Sequence, residues 1–236
     1  MYYATAQEME RLDKLAVDTG LEIRQMMELA GWHMVPLFKM LQIPTKSKIV
    51  IVVGKGNKGG DGLSAARHLL NNGWNVSVIL VSKDIKKDAR HHLDFLQNIL
   101  SEVVVYSDHK NKSRHLIQES NILVDALIGY HLNGSPRGIF AEVIKLMNNA
   151  QKKIIAYDLP SGIDASNGEC LHPCIRADVT LSLALPKLAF KNGNAKSFGK
   201  IFVADIGIPA FLYNKIAPKS RPSFSRFAHN FVTTII

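Results

Sequence analysis

The chain has 236 residues, 47% of them hydrophobic and 21% charged, with 16 Gly and 9 Pro. That is the composition of an ordinary globule, long enough for one large α/β domain with a buried core. No apolar run approaches the roughly 20 residues that span a bilayer, and the opening MYYATAQEMERLDKL carries early acids and no apolar h-region, so a cytoplasmic protein is expected. A formal net charge of +9 admits nucleic acid or anionic nucleotides as partners. The lysines are scattered, however, apart from KDIKKDAR and the tail KSRPSFSRF, as on a solvated surface.

Thr5, with Glu8 three residues later, forms a capping-box pattern that opens an amphipathic helix over Thr5–Val17. A second helix is predicted over Ile23–Leu41, despite Pro36. Strands and helices then alternate. SKIVIVV reads as a buried strand, DGLSAARHLLNNG as a helix with a Gly stop, and NVSVILV as a strand. KKDARHHLDFLQNIL (helix), EVVVY (strand), KSRHLIQES (short helix) and NILVDAL (strand) follow. RGIFAEVIKLMNNA is a helix and KKIIAYDLP a strand; ADVTLSLAL and KIFVADIG come next with little helix between them. This alternation implies a parallel sheet covered on both faces, with ligand chemistry at the carboxyl ends of the strands. The chain is expected to be one domain over residues 1–218 with an irregular C-terminal extension over 219–236. In CLHPC, a disulfide between Cys170 and Cys174 is open to consideration, but two reduced thiols are expected in a cytosolic loop.

Gly54, Gly56 and Gly59 satisfy the dinucleotide fingerprint between a strand and a helix. Glycines let backbone approach a ligand, and a helix N-terminus offers free N–H groups to phosphate. A hydride-transfer site also wants an acid at the end of the second strand, where Asp84 comes slightly late. Asp61, beside the helix start, would repel a pyrophosphate seated there. A ligand loop fits better than a nicotinamide-dependent oxidoreductase. A capped tight turn is the plain structural alternative, against which five interleaved glycines weigh. Asp125 and Asp158 mark two further strand ends. Asp125 is followed by a loop from Gly129 to Ser135, and Asp158 has Ser161 and Gly162 beside it. Such a rim suits proton transfer, a polar ligand or an oxygen-coordinated cation.

The motifs MMELAG, GKGNKGGDGLSAARHL, DALIG, DLPSGIDASNG, ADVTLSLALPK and VADIGIP occur in the order seen in the YjeF N-terminal domain family, and the chain resembles NAD(P)H-hydrate epimerases. The resemblance runs from Thr5 to Pro209. It implies a Rossmann-like three-layer α/β/α sandwich with a mostly parallel sheet, a homodimer, and NADH or NADPH hydrated at nicotinamide C6 as substrate. The family interconverts the R and S forms so that a separate S-specific dehydratase can repair both. By resemblance, Asn57, Lys58, Gly59, Gly60 and Asp61 bind substrate, as do Gly129, Tyr130, His131, Leu132, Asn133, Gly134 and Ser135, together with Asp158. A potassium ion is implied at Lys58, Asp125 and Ser161. Lys58 stands where the family usually has a second Asn, and an ammonium donates only. Either Lys58 replaces the cation, bonded to Asp125 and Ser161, or it swings to solvent and potassium stays. Loss of hydroxide to an iminium-like species would use a carboxylic acid and a carboxylate, for which Asp158 and then Asp61 are the candidates. The alternative is a non-catalytic nucleotide- or RNA-binding scaffold on the same fold.

Other residues read more plainly. His91 and His92 are expected at the surface, Met26 and Met27 in the core, and Asp178 and Asp205 as structural groups at strand ends. Lys187 either faces the site or is exposed. Trp32 and Trp74 suggest packing.

Overall fold

In a computed structural model describing residues 1–99, 103–224 and 231–232, the central strand β1 (Lys48–Val53) sends alternate side chains into two cores. Ile49, Ile51 and Val53 enter one core, Val50 and Val52 the other, the period-2 alternation of a strand buried on both faces. The sheet order is β3-β2-β1-β4-β5-β6-β7-β8. The strands are β2 (Asn75–Leu80), β3 (Val103–Val105), β4 (Ile122–Ala126), β5 (Lys153–Tyr157), β6 (Val179–Leu183), β7 (Lys200–Ala204) and β8 (Phe231–Val232). The first seven run parallel, and β8 pairs antiparallel with β7.

One face carries α2 (Ile23–Met40), α3 (Asn57–Asn71) and α4 (Lys87–Gln97), which contribute Met34, Leu63 and Leu93 to the core. The other carries α5 (Lys110–Glu119) and α6 (Gly138–Asn149), with Ile117, Val143 and Met147. The three-layer sandwich expected from the alternation is the observed fold. α1 (Ala6–Asp18) begins at the predicted capping box: the Glu8 N–H donates to Thr5 Oγ1 at 3.2 Å and the Thr5 N–H to Glu8 Oε2 at 2.8 Å. α2 continues through Pro36. Only the short α7 (Ala189–Asn192) and a 3₁₀ turn separate β6 from β7, and α8 (Ala210–Tyr213) follows. Asp178 accepts the Ile154 N–H at 2.7 Å and Asp205 the Gly207 N–H at 3.0 Å, both structural as expected.

Three expectations differ from the structure. Cys170 and Cys174 form a disulfide. The loop folds back, with Leu171 N–H donating to Gly162 O, and brings their Cα atoms to 5.4 Å, within bridging range. His92 is buried, because its position on α4 falls on the stripe shared with Ala89, Leu93 and Leu96. Trp74 packs edge-on against Phe38, but Trp32 is 45% exposed. Past residue 218, Ser220 donates to Tyr213 O and Phe224 is buried.

Strand order reverses between β1 and β4, so the chain leaves their carboxyl ends towards opposite faces, α3 on one and α6 on the other. The strand ends themselves stay in close contact. A Cβ on Gly54 would lie 1.9 Å from Leu127 O, and one on Gly62 would lie 2.5 Å from the Ala126 Cβ. Backbone cannot yield as a side chain can, so the glycines are packing requirements here. Gly54→Ala should destabilise the fold by about 3 kcal/mol, lowering the melting temperature by roughly 6–12 °C. Thermal unfolding followed by circular dichroism measures this.

Candidate active site

The same reversal places a cavity of about 890 Å³ over the carboxyl ends of the strands. Lys55, Gly56, Asn57, Lys58 and Asp61 line it after β1, Leu127 to His131 after β4, Asp158 after β5 and Leu183 at the end of β6. α1 and α2 close one side with Asp13, Met26 and Met27.

Two buried lysines organise this edge. The Lys58 ammonium donates to Asp125 Oδ2 at 2.9 Å, Ser161 Oγ at 2.9 Å, Leu159 O at 2.8 Å and Ile128 O at 3.1 Å. The Lys187 ammonium pairs with Asp158 Oδ1 and donates to Ser182 Oγ at 3.3 Å, Leu183 O at 2.9 Å and Leu185 O at 3.1 Å. Each cradle therefore consists of one carboxylate, one serine hydroxyl and two backbone carbonyls. Without such partners a buried ammonium would cost several kcal/mol.

The carbonyls are presented by two matching turns. Asp158 has φ +57° and Ala184 φ +59°. Around them, Leu159 N–H bonds Tyr157 O and Leu185 N–H bonds Leu183 O, both at 2.7 Å. These are γ-turns in the left-handed region, costing of order 1–3 kcal/mol each and typical of functional sites. One ends β5 and points Leu159 O at Lys58. The other ends β6 and supplies both Lys187 carbonyls.

Charge is then unevenly distributed. The two ammoniums match Asp125 and Asp158, leaving Asp61 and Asp13. Burial pushes the Asp61 carboxyl far above the ordinary carboxylate range, reinforced by repulsion from Asp158 and Asp13. Burial also raises Asp13, against the Tyr130 hydroxyl, which donates to it at 2.6 Å. Burial lowers the Lys58 ammonium, with Asp125 acting in the opposite direction. Asp61 takes no hydrogen bond from any described residue, and its carboxyl, pushed above the ordinary range by burial, faces the cavity beside a lysine-held carboxylate.

Among the residues singled out in the sequence, Asn57, Lys58, Asp61, Gly129, Tyr130, His131 and Asp158 meet at the cavity. Asp125 and Ser161 lie just beneath it, around Lys58. Gly59 and Gly60 sit behind the lining, against Gly54 O and Met27. Leu132, Asn133, Gly134 and Ser135 do not line it, and Asn133, Gly134 and Ser135 are exposed. Asp84, weighed as the acid of a hydride-transfer site, is also exposed and away from the cavity. Lys187, left open in the sequence, is fully buried in the site. Sequence reasoning missed Asp13. Its signal was there, since Asp13 follows Met9 by four residues and precedes Ala16 by three, a carboxylate beside the apolar stripe of α1.

The residues do not fit a potassium ion alongside the charged Lys58. All four inward oxygens already accept from its ammonium, and a second cation on Asp125, about 4 Å away, would be repelled by about 4 kcal/mol at an effective dielectric of 20. Lys58 occupies the place where the resemblance implied a ligand.

Fold and rim define a doubly wound α/β protein with a carboxylate–lysine site at its switch point. Residues 23–189 match the family described as YjeF-related protein N-terminus, and the chain belongs to that family. A bifunctional NAD(P)H-hydrate repair enzyme Nnr of Moorella thermoacetica is 38% identical over 218 residues, covering 89% of this chain and 41% of the relative. An NAD(P)H-hydrate epimerase of Dehalogenimonas lykanthroporepellens is 35% identical over 217 residues, covering 90% of this chain and 84% of the relative. The chain thus spans about two-fifths of the bifunctional relative's length and most of the other's. The crystal structure of yeast YNL200c superposes with a TM-score of 0.86 at 21% identity, over 99% of this chain and 100% of the yeast one, and so shares the fold.

A raised Asp61 has a signature in stability. Between its unfolded pKa, about 3.9, and its raised folded value, the native state holds a proton that the unfolded state has released, so stability falls as pH rises. Asp61→Asn removes that dependence. The variant should melt above the wild type at neutral pH, with the gain shrinking towards pH 4, in paired thermal scans.

Proposed function

We propose that this chain is an NAD(P)H-hydrate epimerase. The observation that carries the reading is the pairing, across one cavity, of the burial-raised Asp61 carboxyl with the Asp158 carboxylate held by Lys187. Names of relatives on both sides of the family, single-function and bifunctional, support the same activity. The cavity lies within the 300–1,000 Å³ typical of small-molecule sites. Lys14, Lys55 and Lys86 at its mouth suit the phosphates of a dinucleotide, and Met26, Met27 and Phe140 offer apolar surface to its rings.

In this reading Asp61 donates its proton to the C6 hydroxyl. The C–O bond breaks, water leaves, and the ring nitrogen lone pair forms an iminium-type cation, which the surrounding carboxylates stabilise. Water then adds at C6 from the opposite face, and its proton passes to Asp158. Transfer of that proton to Asp61 restores the starting state, and no redox equivalent is consumed. Lys187 acts as a positioning residue: it fixes the Asp158 carboxylate, which also accepts the Leu183 N–H at 3.2 Å. The named relatives are enzymes, so the scaffold reading gains no support from them.

A homodimer and a cytoplasmic setting belong to this proposal, as does an S-specific dehydratase as the next enzyme. No helix among the described residues is long and apolar enough to cross a membrane. A surface patch suits a second copy: Trp32 lies edge-on to His68 at 5.4 Å, and Arg67, paired with Glu28, sits 5.8 Å over the exposed Phe95 ring.

The deciding assay supplies R-hydrate with an S-specific dehydratase and follows recovery of NADH. This protein should accelerate recovery, and Asp61→Asn and Asp158→Asn should each reduce the acceleration about 100-fold or more. No acceleration by the wild type would end the epimerase reading.

A further inference from the structure

We propose that Lys58 is a built-in monovalent cation, a covalently tethered ammonium filling a cradle that would otherwise hold a free ion. The proposal rests on the cradle alone and stands whether or not the reaction above is correct.

The cradle is organised independently of the lysine. Asp125 Oδ2 accepts the Ser161 N–H at 2.8 Å, and Asp125 Oδ1 accepts the Leu127 N–H at 3.1 Å and the Ser161 hydroxyl at 2.6 Å. Ser161 Oγ in turn accepts the Ile128 N–H at 2.8 Å. The loops after β4 and β5 thereby fix a carboxylate, a hydroxyl and two carbonyls around one point, while the charge that fills it arrives from α3 after β1. Oxygen sets of this type coordinate alkali cations by replacing their hydration shell.

The contacts call for the ammonium form. Four oxygens lie within 3.1 Å of Nζ. An ammonium offers three N–H donors, so one is shared; a neutral amine offers two, and its lone pair would face oxygen at hydrogen-bond distance. Lys58 also stands in the first turn of α3, where the helix dipole disfavours a cation. The cradle explains that placement, since the helix dipole does not. The Lys187 cradle provides an internal comparison, with the same set of four oxygens, a carboxylate, a hydroxyl and two carbonyls, enclosing another lysine ammonium. The consequence is an active-site edge whose positive charge does not depend on the surrounding salt.

The test compares potassium chloride with tetramethylammonium chloride at equal ionic strength, and crystals soaked in rubidium chloride. Wild type should melt within about 1 °C in the two salts and show no anomalous rubidium peak beside Asp125. Lys58→Asn trades the tethered charge for an amide oxygen. It should gain a saturable potassium-dependent rise of roughly 5 °C and a rubidium peak within reach of Asp125 and Ser161. A potassium-dependent rise or a rubidium peak in the wild type would overturn the proposal, and the wild-type arms decide alone should Lys58→Asn fail to fold. A folded Lys58→Asn that takes up neither ion would overturn it as well. These readouts are independent of epimerase turnover, so the two proposals fail separately.

Discussion

A buried ammonium must be surrounded by oxygen, and this protein buries two at one edge of its sheet. Burying an ion costs several kcal/mol, and only close, well-oriented partners offset it. Meeting that requirement for Lys58 and Lys187 fixes the ends of β4, β5 and β6, the two left-handed turns at Asp158 and Ala184, and the orientations of Asp125, Ser161 and Ser182. Truncating either lysine would leave a carboxylate buried and unpaired. The site's order and the fold's order at this edge are therefore the same thing.

The topology explains why such a cluster can form at all. Strand order reverses at β1 and β4, so the loop after β1 passes between neighbours that belong to different halves of the sheet. Gly54 and Gly62 permit the approach that brings α3 against β4. Lys58 then ties the β1, β4 and β5 loops to one point. With two carboxylates matched by two lysines, the extra acids Asp61 and Asp13 hold protons beyond the ordinary carboxylate range. A dinucleotide fingerprint here leads to a site rich in carboxyls, suited to proton transfer.

The architecture was legible because its causes are local. Alternation of apolar strands with amphipathic helices, the Thr5–Glu8 cap and the glycine-marked turn each act within a few residues. The rim acids were legible too, since Asp125 and Asp158 mark the ends of apolar strands and Asp61 follows the glycine loop after another. What escaped depends on long-range contact. Asp13 belongs to the site because α1 folds across the mouth of the cavity, 117 residues in sequence from its partner Tyr130. Lys187 reads as an ordinary lysine until the turn at Ala184 curls the chain around it. His92 is buried by the packing of α4, and no motif marks it. The Cys170–Cys174 bridge follows from the fold-back of one loop. Lys58 was the reverse case: its mismatch with a cation-ligand role stood out in the sequence, and only the cradle's geometry separated an inward ammonium from one turned to solvent.

The central claim is that the carboxyl edge holds Asp61 as an acid next to a lysine-bound carboxylate. Carboxyl ¹³C NMR of aspartate-labelled protein, with the Asp61 resonance assigned by its disappearance in Asp61→Asn, measures this directly. The account predicts that Asp61 keeps its proton well above the ordinary carboxylate range. An Asp61 resonance that titrates near the unperturbed value of about 3.9 would contradict it.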